Sequence, residues 1–592
     1  MTESALARPA RVAGRIALWA VVACAVLTLI AIGWVGARGA IAADHLRSAQ
    51  SSASDVVAQI DDPAAVAAAI ASVADDANAA QALTSDPVWE LVEGTPWLGP
   101  QLRAVSAVAA SVDLVAREAL TPLAEVASSL SPTAFQPIDG RINLDAFVAV
   151  QDVSAEAASS MRGASDAVTD ANSAAVIGPL REVVDEVEAL LDTTGRATDA
   201  LARASVLLPE MLGQDGPRDY LVIFQNNAEW RSLGGIAGAL AQIRTNDGAM
   251  RLGTQDYAAS FGRFDPAVME LEADVAAIYG EYPVRFMHNV TQVPDFAVSG
   301  QIARTMWVDK HGTELDGVIS LDPVALSYIL EATGPIELPS GDQLTSENAV
   351  SLLLNEVYKR YPDPTEQNAF FSETTSAVFG ALAGGRFDAS ALLGALARAG
   401  EENRVLLWSA HEDDQAVLAD TTLVGGLPKT DARATSFGVY LNDGTGSKMD
   451  FYQEVTTVAE WETCAPPVEG TTSGTATLAL TIANRAPDSG LPEYITGGGI
   501  YGVEPGSAKT VGYVYLPTGF DLLDAAISTE DGLGGGSHDG HRVVSFDVTL
   551  APGDSVTVSV SAQSEGPTGA QLKVRQTPTV NADVTPTVGT CL

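Results

Sequence analysis

Cysteine is almost absent, with three in 592 residues, and histidine is scarce, with six. So little cysteine excludes a disulfide-rich scaffold and a cysteine-built zinc domain. Basic residues are also few: 33 Lys and Arg stand against 75 Asp and Glu, a net charge of −42. Phosphate-backbone binding needs a basic footprint, so nucleic acid is not an expected partner. Charged residues amount to 18% and apolar ones to 46%, a balance too apolar for global disorder. The chain has no G-x-S-x-G elbow and no P-loop lysine motif, and so lacks the matching hydrolase and nucleotide-binding signatures. It carries one long apolar run and no second of about 18 residues.

That run is Ile16 to Ala37, 22 uncharged residues. At about 1.5 Å per residue it reaches about 33 Å, enough for a hydrocarbon core of about 30 Å. Arg8, Arg11 and Arg15 precede it, which favours a cytoplasmic N-terminus (residues 1–15) and an extracytoplasmic bulk. A cleaved signal peptide is the alternative, with Ala40-Ile41-Ala42 as its cleavage site. The run exceeds the usual h-region of about 7–15 residues, so an uncleaved single-pass anchor is expected. Cys24 lies inside it. Cys464 and Cys591 are then the only cysteines outside, and in an oxidising compartment they are expected to pair.

Length predicts about three to five folding units. Residues 44–210 read as helical, Ala-rich with Val and Leu at three- and four-residue spacing. Breaks fall at Asp86-Pro87 and Gly94-Thr95-Pro96. No heptad holds for long, so a packed bundle or stalk is expected. The character changes near Gly213–Pro217. Tyr220 to Phe224 reads as a strand, Gly234 to Ile243 as another, and Asn246-Asp247-Gly248 as a hairpin turn. Val318 to Leu321 reads as a strand, followed by a helix with Asp322 as N-cap and Pro323 at its first position, stopping at Gly334. Residues 215–435 therefore read as an α/β domain. In residues 437–592, Ala476, Leu478, Leu480 and Ile482 alternate with small or polar residues, as do Val544, Phe546, Val548 and Leu550. Such strands between Gly/Pro turns suggest an immunoglobulin-like β-sandwich. Gly532 to Gly540 reads as a surface loop. The fold class is multidomain α+β.

The densest polar cluster runs from Gln225 to Gly235. It follows a buried-type strand, where a sheet holds a loop rigid. Asn226 and Asn227 offer donors and acceptors, Glu229 could hold a cation or act as a base, and Arg231 presents a fork suited to phosphate or carboxylate. Gly234 and Gly235 would let backbone approach a ligand. The bland alternative is a structural loop with a Glu–Arg pair. Arg244 and Arg263, with Arg285 and Arg304, could line an anion pocket, or could each pair with a nearby acid, which is the favoured reading for most. Asp322 reads as a cap rather than a metal ligand. His411 to Asp414 reads as an exposed acidic turn, and Asp443 to Ser447 as a loop between strands. His538 and His541 are not expected to hold a metal.

Asn226-Asn227-Ala228-Glu229-x-Arg231-x-x-Gly234-Gly235 resembles the signature of the domain-of-unknown-function family 4012. Leu315 to Pro335 and Leu441 to Asp450 also fit that family. The resemblance implies a membrane-anchored envelope protein of actinobacterial type, with no assigned activity. The order of strand, Arg-bearing loop, strand, Asp316–Gly334 and the helix of Gly341–Arg360 is similar to the LytR-CpsA-Psr phosphotransferases. Those enzymes move glycopolymers from polyprenyl-pyrophosphate carriers, using Arg for the pyrophosphate and Asp for magnesium. Here Leu233 replaces the metal-binding Asp. The expected function is therefore an envelope binding or scaffolding protein for a glycan or polyprenyl-linked lipid, held at Asn226–Gly235. The alternative is a phosphotransferase with Arg231 on pyrophosphate, Glu229 as base or metal ligand, and magnesium as cofactor.

Overall fold

The computed structural model describes residues 8–58, 63–129, 137, 140–172, 176–465, 470–580 and 587–588. The chain forms two compact units, Met1–Ala134 with Asp145–Leu208, and Phe135–Leu144 with Pro209–Leu592. The expected pairing of Cys464 falls on Cys591, outside the described residues.

The first unit is helical. Its helices are α1 (Arg8–Ala58), α2 (Pro63–Thr84), α3 (Pro87–Glu93), α4 (Gly99–Val115), α5 (Thr121–Ser129), α6 (Leu144–Asn172) and α7 (Gly178–Met211). Along α1, Trp19, Leu27, Leu29, Ile30 and Trp34 are exposed. Its segment Val26–Ala53 is long and apolar enough to cross a membrane, consistent with a single anchor. The helix does not stop at Ala37. It continues to Ala58 and buries Val35, Ala42 and Ala49. Ala42 meets Ala80 of α2 and Ala109 of α4, small side chains that let helix axes approach closely. Arg38 lies just after the point, near Val35, where the helix begins to pack. Its guanidinium donates to the carbonyl oxygens of Ala82 at 2.7 Å and Leu83 at 2.8 Å, and pairs with Asp86 at 2.9 Å. A cation thus satisfies the orphan carbonyls at the C-terminus of α2.

The second unit begins with a mixed five-stranded sheet. In spatial order it is β3 (Ala249–Tyr257), β2 (Ile236–Asn246), β1 (Arg218–Asn226), β4 (Gly317–Leu321) and β5 (Val405–Ser409). Strands β1, β2 and β3 form an antiparallel meander whose second turn is the expected hairpin at Asn246-Asp247-Gly248, and β4 pairs parallel to β1. One sheet face packs on α8 (Phe296–His311), where Leu221, Ile223, Val318, Phe296 and Trp307 share a core. α9 (Pro323–Thr333) follows β4. Asp322 caps it, its carboxylate accepting from the Ala325 N–H at 2.7 Å, and Gly334 closes it.

Two further five-stranded sheets follow. One contains β6 (Ala434–Asp443), β9 (Ala508–Tyr515), β11 (Leu533–His538), β12 (His541–Leu550) and β14 (Gln571–Gln576). The other contains β7 (Gln453–Cys464), β8 (Gly474–Asn484), β10 (Phe520–Ile527), β13 (Ser555–Ser564) and β15 (Thr587–Val588). Their inner faces share one core, built from the alternating residues read in the sequence. The expected loop at Gly532–Gly540 is instead strand β11 and the turn into β12, with Leu533 opposite Phe546 and His538 opposite His541. Its glycines carry no side chains, so no period-two pattern was visible there.

Trp230, from the loop after β1, is fully buried in the core of the paired sheets. It pegs the first sheet's loop into the second half of the unit. Trp230→Ala should lower the unit's stability by about 3–5 kcal/mol, read as a calorimetric Tm shift. Trp230→Phe should cost much less. It keeps most of the apolar volume, and it removes an indole N–H that has no partner.

Candidate functional site

Side chains on a strand alternate between faces. Leu221 and Ile223 of β1 enter the core beneath the sheet, so Val222 and Phe224 face the other way. With Ile319 and Leu321 of β4 and Ala239 and Ile243 of β2 they line a cavity of about 1040 Å³. Its far wall is α9 and α10 (Pro364–Ala383), through Leu326, Ile329, Phe371 and Val378. Sheet and helices do not close on each other, and Phe224, Ala239, Ile319 and Leu321 stay only partly buried. The volume lies at the top of the range of about 300–1,000 Å³ usual for ligand pockets.

The loop after β1 supplies polar groups to this cavity. Asn226 lines it and donates to the Tyr358 hydroxyl. Asn227 does not line it. That side chain is buried and donates to Asp322 and to the Pro578 carbonyl oxygen, each at 3.0 Å. Gly234 and Gly235 are also absent from the wall. Gly235 lies so close to β1 that a Cβ there would sit 2.3 Å from the Asn226 carbonyl carbon. Its N–H donates to Gln225 Oε1 at 2.7 Å. The glycines fold the loop back on its own strand; they do not present backbone to a ligand.

The segment from Asn442 to Asp450, read as a connection between strands, completes the loop. Asn442 Oδ1 accepts from the Ser232 N–H at 3.1 Å, the Asp443 N–H donates to the Trp230 carbonyl oxygen at 2.9 Å, and Asp450 Oδ2 accepts from the Trp230 N–H at 2.6 Å. Asp443 and Lys448 line the cavity with Glu229, Arg231, His288 and Asn289. Glu229 is buried between two cations. Arg231 Nη2 lies 3.3 Å from its Oε1, and Lys448 Nζ donates to its Oε2. Arg231 is held further by Asn289 Oδ1 at 3.0 Å and the Trp230 carbonyl oxygen at 2.6 Å. The Lys448 ammonium also sits 5.8 Å from the Tyr358 ring centroid.

The electrostatics follow from this crowding. Burial alone would raise the Glu229 carboxyl, but the Lys448 ammonium and the Arg231 guanidinium outweigh it and hold it below its ordinary value. Burial would lower Lys448, and the Glu229 carboxylate reverses that. Burial, then the Glu229 charge, pushes Asp443 up to about 7. Burial, then Asp443, pushes Asp450 well above the usual range. Burial lowers His288. The cluster therefore sets two cations against Glu229, with Asp443 and Asp450 raised toward their protonated forms. Two fully buried oxygens on cavity-lining residues have no hydrogen-bond partner, Asp443 Oδ2 and Gln292 Oε1.

Of the remaining sequence candidates, Arg244 sits on the sheet face opposite Ile243, with its side chain 58% exposed and 3.9 Å from Asp219. Arg263 is exposed and away from the cavity. Arg285 and Arg304 pair with acids as expected. The magnesium expected under the phosphotransferase alternative does not fit these residues. Both Glu229 oxygens are taken by cations, and Leu233 is buried in the apolar core. Among the described residues no group of three His, Cys, Asp or Glu could hold a metal ion.

Asp443 makes stability depend on pH. Its folded value, about 7, exceeds the ordinary 3.8. The folded state therefore binds a proton that the unfolded state gives up, and this contribution is full below pH 3.8 and lost as pH rises to about 7. The wild type should lose stability over that window relative to Asp443→Asn, a difference that paired Tm-against-pH curves would read.

Residues 215–358 match the model of a family described as protein of unknown function, DUF4012. No curated protein and no solved structure matches the chain. The match takes in the Asn226–Gly235 loop, most of the mixed sheet, α9 and Tyr358, but not Asp443 or Lys448. Over those residues the chain carries a domain of the DUF4012 family, as the signature at Asn226–Gly235 implied.

Proposed function

We propose that this protein is a membrane-anchored binding protein for an amphiphile of the cell envelope, facing outward from the membrane. The observation that carries the reading is the cavity of about 1040 Å³, apolar over the sheet and helix walls, with a connected polar cluster set into its lining. A chain of about ten methylenes buried there would contribute about 8 kcal/mol at 0.8 kcal/mol each. That is enough to draw a long tail out of water. The apolar helix α1 supports a site tethered to a membrane, where such molecules are found. A binding role is favoured over phosphoryl transfer because Arg231 and Glu229 are already committed to protein partners.

The test is native mass spectrometry of the full-length chain extracted into polymer-bounded discs without detergent. One co-purifying amphiphile per chain is expected. The pair Ala239→Trp and Ile319→Trp, which fills the cavity, should lose it while keeping wild-type circular dichroism. Retention of the same molecule by the filled variant would overturn the reading. So would an empty wild type after long-chain lipids are added back.

A further inference from the structure

We propose that one end of the helical unit is itself seated in lipid: the turn between α3 and α4 and the residue that leads into α7 enter the bilayer interface beside α1, through Leu91, Trp97 and Ile177. The inference rests on reading α1 as a membrane anchor and goes on to name a second, separate surface that binds lipid.

The first support is the register of α4 on α1. Val35 shares a buried cluster with Leu102, Ala42 with Ala109, and Ala49 with Ala116, in the helical turn that continues α4. Each step is seven residues on both helices, so the two run parallel and level with each other. About one turn back, Ala31 and Leu98 pack on the same cluster as Val35 and Leu102. The turn Gly94–Trp97, just before Leu98, therefore lies level with Ile30 and Ala31. That level is seven or eight residues before Arg38, about 10–12 Å at about 1.5 Å per residue, and inside the uncharged run that ends at Ala37.

The second support is the course of α3. Its N-cap, Asp86, pairs with Arg38 at 2.9 Å. Trp89 packs beside Gly39, where a Cβ would sit 3.4 Å from the indole. The seven residues of α3 then cover about 10 Å, the same distance as from Arg38 back to Ala31. Helices α3 and α4 thus form a hairpin whose tip points toward the N-terminus of α1. It lies alongside the length of α1 where Leu29, Ile30 and Trp34 are exposed.

The third support is what this end presents. Leu91 and Trp97 are 76% and 75% exposed, and Gly94, Thr95 and Pro96 between them carry no charge. The acid in the tip, Glu93, is turned inward, its carboxylate accepting from Trp89 Nε1 at 2.9 Å and from the Ser106 hydroxyl at 2.7 Å. The exposed charges Glu90 and Arg103 lie back from the tip, Arg103 level with Gly36 by the same register. A second segment reaches the same level independently. Ile177, just before α7, is 51% exposed, and its N–H donates to Gln101 Oε1 at 2.9 Å. Gln101 is level with Trp34.

A single exposed apolar side chain needs no explanation. Here three, from two segments, stand near one level, and that level falls within the apolar run of the anchor. Once α1 is seated, what surrounds this level is lipid, and a water-borne partner does not reach it. Tryptophan gathers at membrane interfaces because its ring is apolar and carries one N–H, which suits Trp97 at the tip.

The experiment replaces Leu91, Trp97 or Ile177 of the full-length chain with a ketone-bearing amino acid that carries a nitroxide, leaving the cysteines untouched, in discs of phosphatidylcholine. Leu29 is the control within the anchor, and Glu156, exposed on α6, the control in water. Collisions with oxygen report lipid, and collisions with a water-soluble nickel chelate report water. The oxygen-to-nickel ratio at the three sites should exceed that at Glu156 by about threefold or more, as for groups buried about 5–10 Å into the head-group boundary. Circular dichroism should stay that of the wild type, since all three side chains are exposed. The inference is overturned, and the anchor kept, if the three ratios equal that at Glu156 while Leu29 is shielded from nickel. Shielding of the three sites from both probes, as burial against protein gives, overturns it too. Nickel access at Leu29, or loss of the labelled helix by cleavage, would overturn both readings.

Discussion

The Glu229 carboxylate is the point on which the second unit turns. It is buried, and it holds Arg231 from its own loop and Lys448 from the segment after β6. A carboxylate taken out of water is costly unless opposite charges and hydrogen bonds surround it. Here they come from residues far apart in sequence, so the charge is tolerated only when the loop after β1 and the Asn442–Asp450 segment have docked. The pairing therefore specifies an arrangement as much as it stabilises one. Trp230, Ser232, Asn442 and Asp450 fix the same docking through packing and backbone hydrogen bonds. The surplus carboxyl groups of the cluster, Asp443 and Asp450, are pushed toward their protonated forms by that burial.

The cavity has an equally local origin. A strand buried on both faces reads as a continuous apolar run, and Tyr220–Phe224 is such a run. One face is used up against α8. The other meets α9 and α10 without closing on them, and the small side chains Ala239 and Ala241 deepen the space. Apolar residues are thus retained on a face whose neighbours do not fill it.

Much of this was legible in the sequence, because it rests on near neighbours in the chain. The segments of β1 and β2, the hairpin turn into β3, the Asp322-Pro323 helix start, and the inward residues of β8 and β12 all follow from periods and caps spanning a few positions. The polar loop from Asn226 was legible as a cluster. Its division of labour was not, since Asn227, Gly234 and Gly235 look like ligand groups until the loop's fold shows them turned to the protein. Lys448 and Asp443 were hidden for another reason. Their meaning depends on Glu229, more than 200 residues earlier, and no local pattern reports a long-range ion pair. Arg244 misled because its strand position puts it on the face opposite Ile243. The stretch Leu533–His538 was hidden because glycine leaves no alternation to read.

The continuity of α1 has a mechanical consequence. Its 51 residues make a rod of about 77 Å at about 1.5 Å per residue, and its exposed apolar length passes into the packed length near Val35 without a proline or a break in the helix. Transmembrane helices tilt to match bilayer thickness. With no joint at the boundary, a change of tilt is not absorbed there. It is transmitted as a lever movement to Ala42 and Ala49, and so to α2 and α4, which close on them. With α1 seated in a bilayer, as proposed, the first unit would thereby be geared to that bilayer's thickness.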